Sequence, residues 1–283
     1  MKLKDYYTIF AAKLLDIYTK NEATIITGWV FESLAGFSKL YIVKNGDQEL
    51  EPSAIIKLNK ALDGALKHQP VQYITGEAWF YNMKLKVNNQ VLIPRPETEE
   101  LVEAVGSCQG AVGRGHCEIL DIGTGSGCIA IAIKKNIVAA NVTAIDISAA
   151  ALQLAKENAA NQKVSIHFKE LNFLDESVWE KMPAYDIIVS NPPYIPVNEK
   201  EKLDKNVIAW EPHSALFVPV GTPLLFYEKI ASFAMSHLKP GGKIFMEIHE
   251  NYGTKTAAIF KDRFSSVEIK KDISGKDRMV IVS

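Results

Sequence analysis

From Met1 to about Gln69, apolar residues recur at spacings of three and four. Leu3, Tyr6, Tyr7, Phe10, Leu14, Ile17 and Tyr18 fall on one stripe, as a helix with a single buried face requires. Two more helical stretches, "TIITGWVFESLAGF" and "PSAIIKLNKALDGALKHQ", follow between Gly- and Asn-containing turns, and Pro52 suits the first turn of the second. Three or four short helices make a small bundle with no evident chemistry. In "EAWFYNMKLKVNNQVLIPRPE" the period changes to two: Leu85 and Val87 alternate with lysines, and Asn88-Asn89 offers a tight turn, which predicts a β-hairpin. Beyond Pro96, "ETEELVEAV" returns to helix, with its acids in the first turn.

After about Cys117 the pattern becomes one of apolar runs alternating with helical stretches: "CEILDIG", "NVTAID", "VSIHFKE", "YDIIVSN" and "GGKIFMEIH". Such runs suit parallel strands covered on both faces, so the expected class is α/β, a doubly wound, mostly parallel sheet. The end, "SVEIKKDISGKDRMVIVS", reads as two strands around Ser274-Gly275-Lys276-Asp277, with the last strand antiparallel. The charged run "NEKEKLDKN" reads as a solvated loop. The expected organisation is a helical bundle over 1–75, a hairpin linker over 76–95 and an α/β domain over 96–283.

With 283 residues, 47% of them hydrophobic, a sizeable core is available. Lys plus Arg is 32 against 33 for Asp plus Glu, so no global basic field points to nucleic acid. No apolar run approaches the roughly 20 residues that span a bilayer. The first twenty residues carry Asp5 among lysines where a signal peptide would be apolar, and the expectation is a cytoplasmic protein with no membrane partner. Cys108, Cys117 and Cys128, odd in number and without Cys-x-x-Cys spacing, read as buried or incidental thiols. The six histidines show no metal-binding spacing, and no metal is expected.

The first chemical motif is "LDIGTGSGCIAIAI", Leu120 to Ile133. Gly123, Gly125 and Gly127 leave a strand and open a helix, letting the backbone turn sharply and a ligand approach where a Cβ would collide. On a dinucleotide fingerprint the third glycine would fall on Cys128, so NAD fits imperfectly. S-adenosylmethionine fits better: Asp121, beside Thr124 and Ser126 in the turn, can receive an ammonium, and Asp146 at the next strand end can accept both ribose hydroxyls. The plain alternative is a tight turn with solvated acids. Asn172 and Phe173, after the third strand, can bracket an adenine by hydrogen bond and stacking, while Phe173 reads almost as well as core.

The second motif ends the strand "YDIIVS". Pro192 and Pro193 cannot continue a ladder, so Asn191 stands just past the strand end, where open α/β sheets bind ligands. An amide or arylamine nitrogen is a poor nucleophile because its lone pair is delocalised. The Asn191 side-chain carbonyl and the Pro192 main-chain carbonyl can each accept one N–H of such a group and aim its lone pair at a methyl donor, and they bind more tightly as positive charge grows on nitrogen. Tyr194 can pack over the flat group. Asn191 and Pro192 are thus the catalytic candidates, Asn191 to Tyr194 the substrate loop, and Asn191 also borders the cofactor.

"DIGTGSG", "SNPPYI" and "VLIPRPETEELV", with "QYITGEAWF" upstream, closely resemble the HemK/PrmC family of release factor glutamine methyltransferases. The resemblance spans roughly 71–283, and the small helical N-terminal part fits that family's layout. The glycine motif marks methyltransferases broadly, Asn-Pro-Pro-Tyr is shared with enzymes that methylate exocyclic amines of adenine, and "IPRPETE" is the discriminating part. The resemblance implies a class I S-adenosylmethionine-dependent fold and methylation of the glutamine side-chain amide in the Gly-Gly-Gln motif of class I peptide chain release factors. It implies cofactor contacts at Gly123 to Gly127, Asp146 and Phe173, glutamine contacts at Asn191 to Tyr194, and docking of the protein substrate on the N-terminal bundle. Family members often carry tryptophan near Phe173, so the indole N–H is missing here. Arg95, Glu97 and Glu99 either line the substrate mouth or belong to a linker whose prolines fix interdomain geometry and whose acids only cap a helix, and "WEPHSALF" is placed over the site by the resemblance. The competing readings are a DNA or RNA exocyclic amino-methyltransferase, which needs base flipping and a basic groove, and a non-catalytic adenosylmethionine-binding or ribosome-associated protein.

Overall fold

In the computed structural model, which describes residues 1–107 and 116–283, the chain divides into two compact units. The first comprises Met1–Glu77 together with Asp204–Trp210, and the second Ala78–Leu203 together with Glu211–Ser283.

The first unit contains five helices before residue 77: α1 (Leu3–Leu14), α2 (Lys20–Ala35), α3 (Lys39–Asn45), α4 (Pro52–Ala65) and α5 (Val71–Thr75). Leu3, Tyr6, Phe10 and Leu14 are the buried stripe of α1, while Ile17 and Tyr18 lie beyond its end in a turn. Thr19 starts α2 with a capping box closed by Glu22, and Gly36, at φ 73°, ends it where only glycine is unstrained. Phe31 of α2 meets Tyr7 and Phe10 edge-on, with ring centroids 5.0 and 5.4 Å apart, and Leu58 and Leu62 of α4 complete the core. The run expected as a loop is partly helical. Val197–Lys202 forms a 3₁₀ turn, and Lys205–Trp210 forms a helix whose Trp210 indole donates to the Lys67 carbonyl at 3.3 Å.

The second unit opens with a hairpin of β1 (Glu77–Phe80) and β2 (Met83–Lys86). Its turn is Tyr81-Asn82, at φ 48° and 58°, and not the expected Asn88-Asn89. Two consecutive positive φ values match the twist of a two-residue hairpin loop. Asn88 instead makes a local turn, its side-chain oxygen accepting from the Gln90 amide at 2.9 Å. Then come α6 (Pro96–Ser107), β3 (Glu118–Ile122), α7 (Cys128–Asn136), β4 (Asn141–Asp146), α8 (Ala149–Asn161), β5 (His167–Glu170), β6 (Tyr185–Ser190) and β7 (Ile195–Pro196). The helix at Lys205–Trp210 is α9, followed by α10 (His213–Leu216), β8 (Phe217–Val218), α11 (Leu225–His237), β9 (Leu238–Glu247), α12 (Gly253–Lys261), β10 (Val267–Lys271) and β11 (Asp277–Val282).

Seven strands form one sheet in the order β10-β11-β9-β6-β3-β4-β5. All neighbours are parallel except β11, which runs antiparallel to both β9 and β10. Alternate residues bury opposite faces: Ile119, Ile187 and Val189 pack with α6 and α7 residues such as Leu101, Ile129 and Ile133, while Leu120, Ile122 and Ile188 pack with Tyr227, Ile230, Phe233 and Phe260 of α11 and α12. Double coverage is why these strands read as unbroken apolar runs. The chain leaves β3 towards β4 and β5, then returns to place β6 on the other side of β3. The crevice at the carboxyl ends of β3 and β6 is therefore the switch point where doubly wound sheets bind ligands. Pairing of Ile122 with both Ile145 and Ser190 brings the three strand ends level. Cys117 and Cys128 are buried free thiols, Cys108 lies outside the described residues, and among the described residues no helix is long and apolar enough to cross a membrane.

Candidate active site at the switch point

A cavity of about 350 Å³ opens at these strand ends. Gly123, Gly125 and Gly127 stand at φ 74°, 54° and 80°. A Cβ on Gly123 or Gly125 would point into open space, so these two form a bare cradle against the cavity. Gly127 does different work: a Cβ there would lie 3.1 Å from the Ala155 Cβ and 3.2 Å from Ile131, so it lets α7 and α8 close together away from the cavity wall. Thr124 and Ser126 share the wall with the cradle, and the Ser126 carbonyl is held by the buried Asn158 amide at 2.9 Å. Asn158 also brackets Lys86 through both its N–H and its C=O, which joins the hairpin to the glycine loop.

Asp121 lies beneath this loop, fully buried, and not on the cavity wall as expected of a group that meets a ligand directly. One of its oxygens accepts from the Thr124 hydroxyl at 2.7 Å, and the other is buried with no hydrogen-bond partner. Burial pushes this carboxyl up to about 7, against the opposing pull of Thr124. Asp146 is on the wall. Its two oxygens accept from the Gly125 and Ser148 amides, each at 2.9 Å, which pins the glycine loop and leaves each oxygen a further lone pair. Ile147 follows it, an apolar side chain 61% exposed on the same wall.

Asn172 and Phe173 also line the cavity. The Asn172 side-chain oxygen is taken by the Leu174 amide at 3.1 Å, which leaves its N–H₂ as a donor. Phe173 is only 5% exposed, its ring held by Trp179 and Phe233 at centroid distances of 5.5 and 5.4 Å. The core reading of this ring is the one the packing favours, with an edge left for the cavity.

Across the crevice, Ser190 ends β6 by donating to the Ile122 carbonyl at 2.8 Å, and Asn191 and Pro193 reach the wall. Pro192 is buried and Tyr194 is turned away, its hydroxyl donating to Glu247 Oε1 at 3.2 Å and its ring edge-on to His249. Tyr194 therefore buttresses the loop and is not on the cavity wall. Asn191 Nδ2 donates to Thr98 Oγ1 at 3.1 Å, and Thr98 donates to Glu247 Oε2 at 2.6 Å. Burial pushes the Glu247 carboxyl above its ordinary value, with Thr98 and Arg278 pulling the other way. Burial, with the Glu247 charge beside it, likewise raises the Tyr194 phenol.

The remaining wall comes from 211–219. Glu211, 1% exposed at its side chain, accepts from Arg95 Nη2 at 2.5 Å and from the Ile93 amide at 3.2 Å, and Ser214, Ala215, Phe217 and Val218 follow it along the cavity. A two-residue parallel pairing of β7 with β8 fastens this segment to the end of the Asn191 loop. Arg95 thus lines the mouth, whereas Glu99 caps the Tyr81 amide of the hairpin at 2.9 Å. Thr98, Ile147 and Glu247 were not singled out by the sequence, and Glu211 was reached only as part of "WEPHSALF".

A solved methyltransferase from Pyrococcus furiosus superposes with a TM-score of 0.50 at 17% identity, covering 81% of this chain and 96% of that one, a likeness of fold. The sequence agrees, for the Methyltransferase small domain profile matches residues 111–211 and the PrmC N-terminal domain profile residues 10–76. Two relatives match end to end: the release factor glutamine methyltransferase of Flavobacterium psychrophilum, 39% identical over 100% of this chain and 99% of the relative, and that of Streptococcus pneumoniae, 46% identical over 100% and 98%. The chain belongs to the release factor glutamine methyltransferase family.

Proposed function

We propose that this protein transfers a methyl group from S-adenosylmethionine to the side-chain amide nitrogen of the Gly-Gly-Gln glutamine of class I peptide chain release factors. The observation that carries the reading is Asn191: its nitrogen is committed to Thr98, so its oxygen remains as an acceptor on the wall opposite the glycine cradle.

The residues present fit the cofactor. Gly123 and Gly125 leave bare backbone that a Cβ would fill, Asp146 keeps lone pairs for ribose hydroxyls, and Asn172 with the exposed Ile147 offers a donor and an apolar face for adenine. Burial disfavours the charge of Asp121 beneath the loop, and a cationic ligand above it would favour the ionised form, whose second oxygen has no hydrogen-bond partner. When bound, S-adenosylmethionine supplies a methyl group on a positively charged sulfur.

The chain's own task is to make an amide nitrogen reactive. Asn191 Oδ1 accepts one N–H of the glutamine amide and the Pro192 main-chain carbonyl the other, fixing the nitrogen and favouring the state in which it gains positive charge. The segment 211–219, held by the Glu211–Arg95 pair, walls one side of the cavity. In this reading the helical unit docks the protein substrate.

The test incubates the protein with labelled S-adenosylmethionine and, separately, purified release factor and duplex DNA, then maps the label by tandem mass spectrometry. One methyl on the Gly-Gly-Gln glutamine is expected. Label on adenine alone overturns the assignment in favour of a nucleic-acid amino-methyltransferase.

A further inference from the structure

An asparagine side chain has two nearly isosteric orientations, and only the one with oxygen towards the cavity accepts a substrate N–H. The wall must contain something that chooses between them. The hydrogen bonds behind Asn191 form a directed chain: Asn191 Nδ2 to Thr98 Oγ1 at 3.1 Å, Thr98 Oγ1 to Glu247 Oε2 at 2.6 Å, with Tyr194 donating to Glu247 Oε1 at 3.2 Å. Thr98 has one proton, and the carboxylate takes it, so the hydroxyl offers Asn191 only lone pairs. An inverted Asn191 would set oxygen against oxygen. Thr98 and Glu247 are 2% and 3% exposed, so water cannot substitute for either partner.

Resting on the glutamine-methylating reading above, we propose that Thr98 and Glu247 are positioning residues that lock the Asn191 amide with its oxygen towards the substrate nitrogen. Glu247 ends β9, immediately after Met246, which pairs with Ser190 of β6, so the polarity of the chain is set on a rigid sheet and not on the loop that carries Asn191. Tyr194 occupies the second carboxylate oxygen, and Tyr227 donates to the Glu247 main-chain carbonyl at 3.1 Å. The loop thereby reaches the same acid twice, directly from Tyr194 and through Thr98 from Asn191.

The test measures steady-state methylation of full-length release factor, cofactor affinity by calorimetry and melting temperature for Thr98→Val, Thr98→Ser and Glu247→Gln. Thr98→Val keeps the shape and removes the hydroxyl, and kcat is expected to fall by about tenfold or more with cofactor affinity within about twofold. Thr98→Ser restores the hydroxyl and is expected to recover kcat to within about threefold of the unmodified protein, which a role in shape alone would not produce. Glu247→Gln replaces two acceptors by one acceptor and one donor and lowers kcat in the same manner, which keeps the idea testable should Thr98→Val fail to fold. If Thr98→Val or Glu247→Gln turns over like the unmodified protein, or Thr98→Ser is as slow as Thr98→Val, the positioning role is overturned while glutamine methylation stands. Absence of glutamine methylation by the unmodified protein overturns both.

Discussion

Asp121→Asn tests the electrostatics of the glycine loop without touching the cavity wall. The folded carboxyl titrates near 7 because burial disfavours its charge, against an ordinary value of 3.8. Between those values the folded protein binds a proton that the unfolded chain has released, so stability falls as pH rises through this window and levels off above it. The loss between pH 5 and pH 8 comes to about 2 to 3 kcal/mol. The asparagine keeps an oxygen for the Thr124 hydroxyl and has no charge to bury, so its stability lacks this fall. Urea denaturation of both proteins at several pH values, followed by circular dichroism, isolates the effect, because the other titrating groups are common to both and cancel. The variant should gain on the unmodified protein by about 2 to 3 kcal/mol from pH 5 to pH 8. Profiles that stay parallel to within about 0.5 kcal/mol refute the claim that Asp121 is held neutral by burial.

Four further outcomes are expected. Asn191→Ala should leave cofactor affinity nearly intact and slow methyl transfer by about 100-fold or more, and unchanged turnover would remove the orientation mechanism. Asp146→Ala should weaken cofactor binding by about 1 to 3 kcal/mol in calorimetry, and equal affinity would exclude its ribose role. Gly127→Ala, which drives a Cβ towards Ala155 and Ile131 at φ 80°, should lower unfolding stability by about 1 to 3 kcal/mol, while Gly125→Ala should cost less stability and more cofactor affinity. A reversed order would mean the two glycines have exchanged roles. Leu40→Glu with Val43→Glu, both exposed on α3, should raise KM for full-length release factor and leave kcat and melting temperature in place, and an unchanged KM moves the docking surface off this helix.

The hairpin shows where local preference misleads. Asn88-Asn89 is the better turn by propensity, and Tyr81 is a poor residue for positive φ. Ala78, Phe80, Met83 and Leu85 are nevertheless the buried positions, an alternation that continues across a two-residue turn only if the chain reverses at Tyr81-Asn82. Burial of four side chains outweighs the strain at one tyrosine, since each large apolar residue contributes about 1.5 to 3 kcal/mol. The sheet strands were legible because both faces are apolar, so their runs needed no knowledge of the partner strand. The helical segment 205–210 was not: it is held by contacts with residues far back in the chain, such as the Lys67 carbonyl that accepts from Trp210.

The site divides along the same line. Glycine cradle, Asp146 and Asn191 are each carried by a short contiguous motif at a strand end, and the level ends of β3, β4 and β6 bring those motifs together. What supports them is distant in sequence: Thr98 is 93 positions from Asn191 and 149 from Glu247, and Arg95 is 116 from Glu211. No local pattern encodes such pairs. One signal was present all the same. In the predicted strand "GGKIFMEIH" a glutamate interrupts an apolar run that must be buried on both faces, and a buried carboxylate without partners costs several kcal/mol. An acid in that position demands donors from elsewhere in the fold. Thr98 and Tyr194 are those donors, and because Tyr194 belongs to the Asn-Pro-Pro-Tyr loop and Thr98 grips Asn191, satisfying the buried acid and aiming the amide are one structural act.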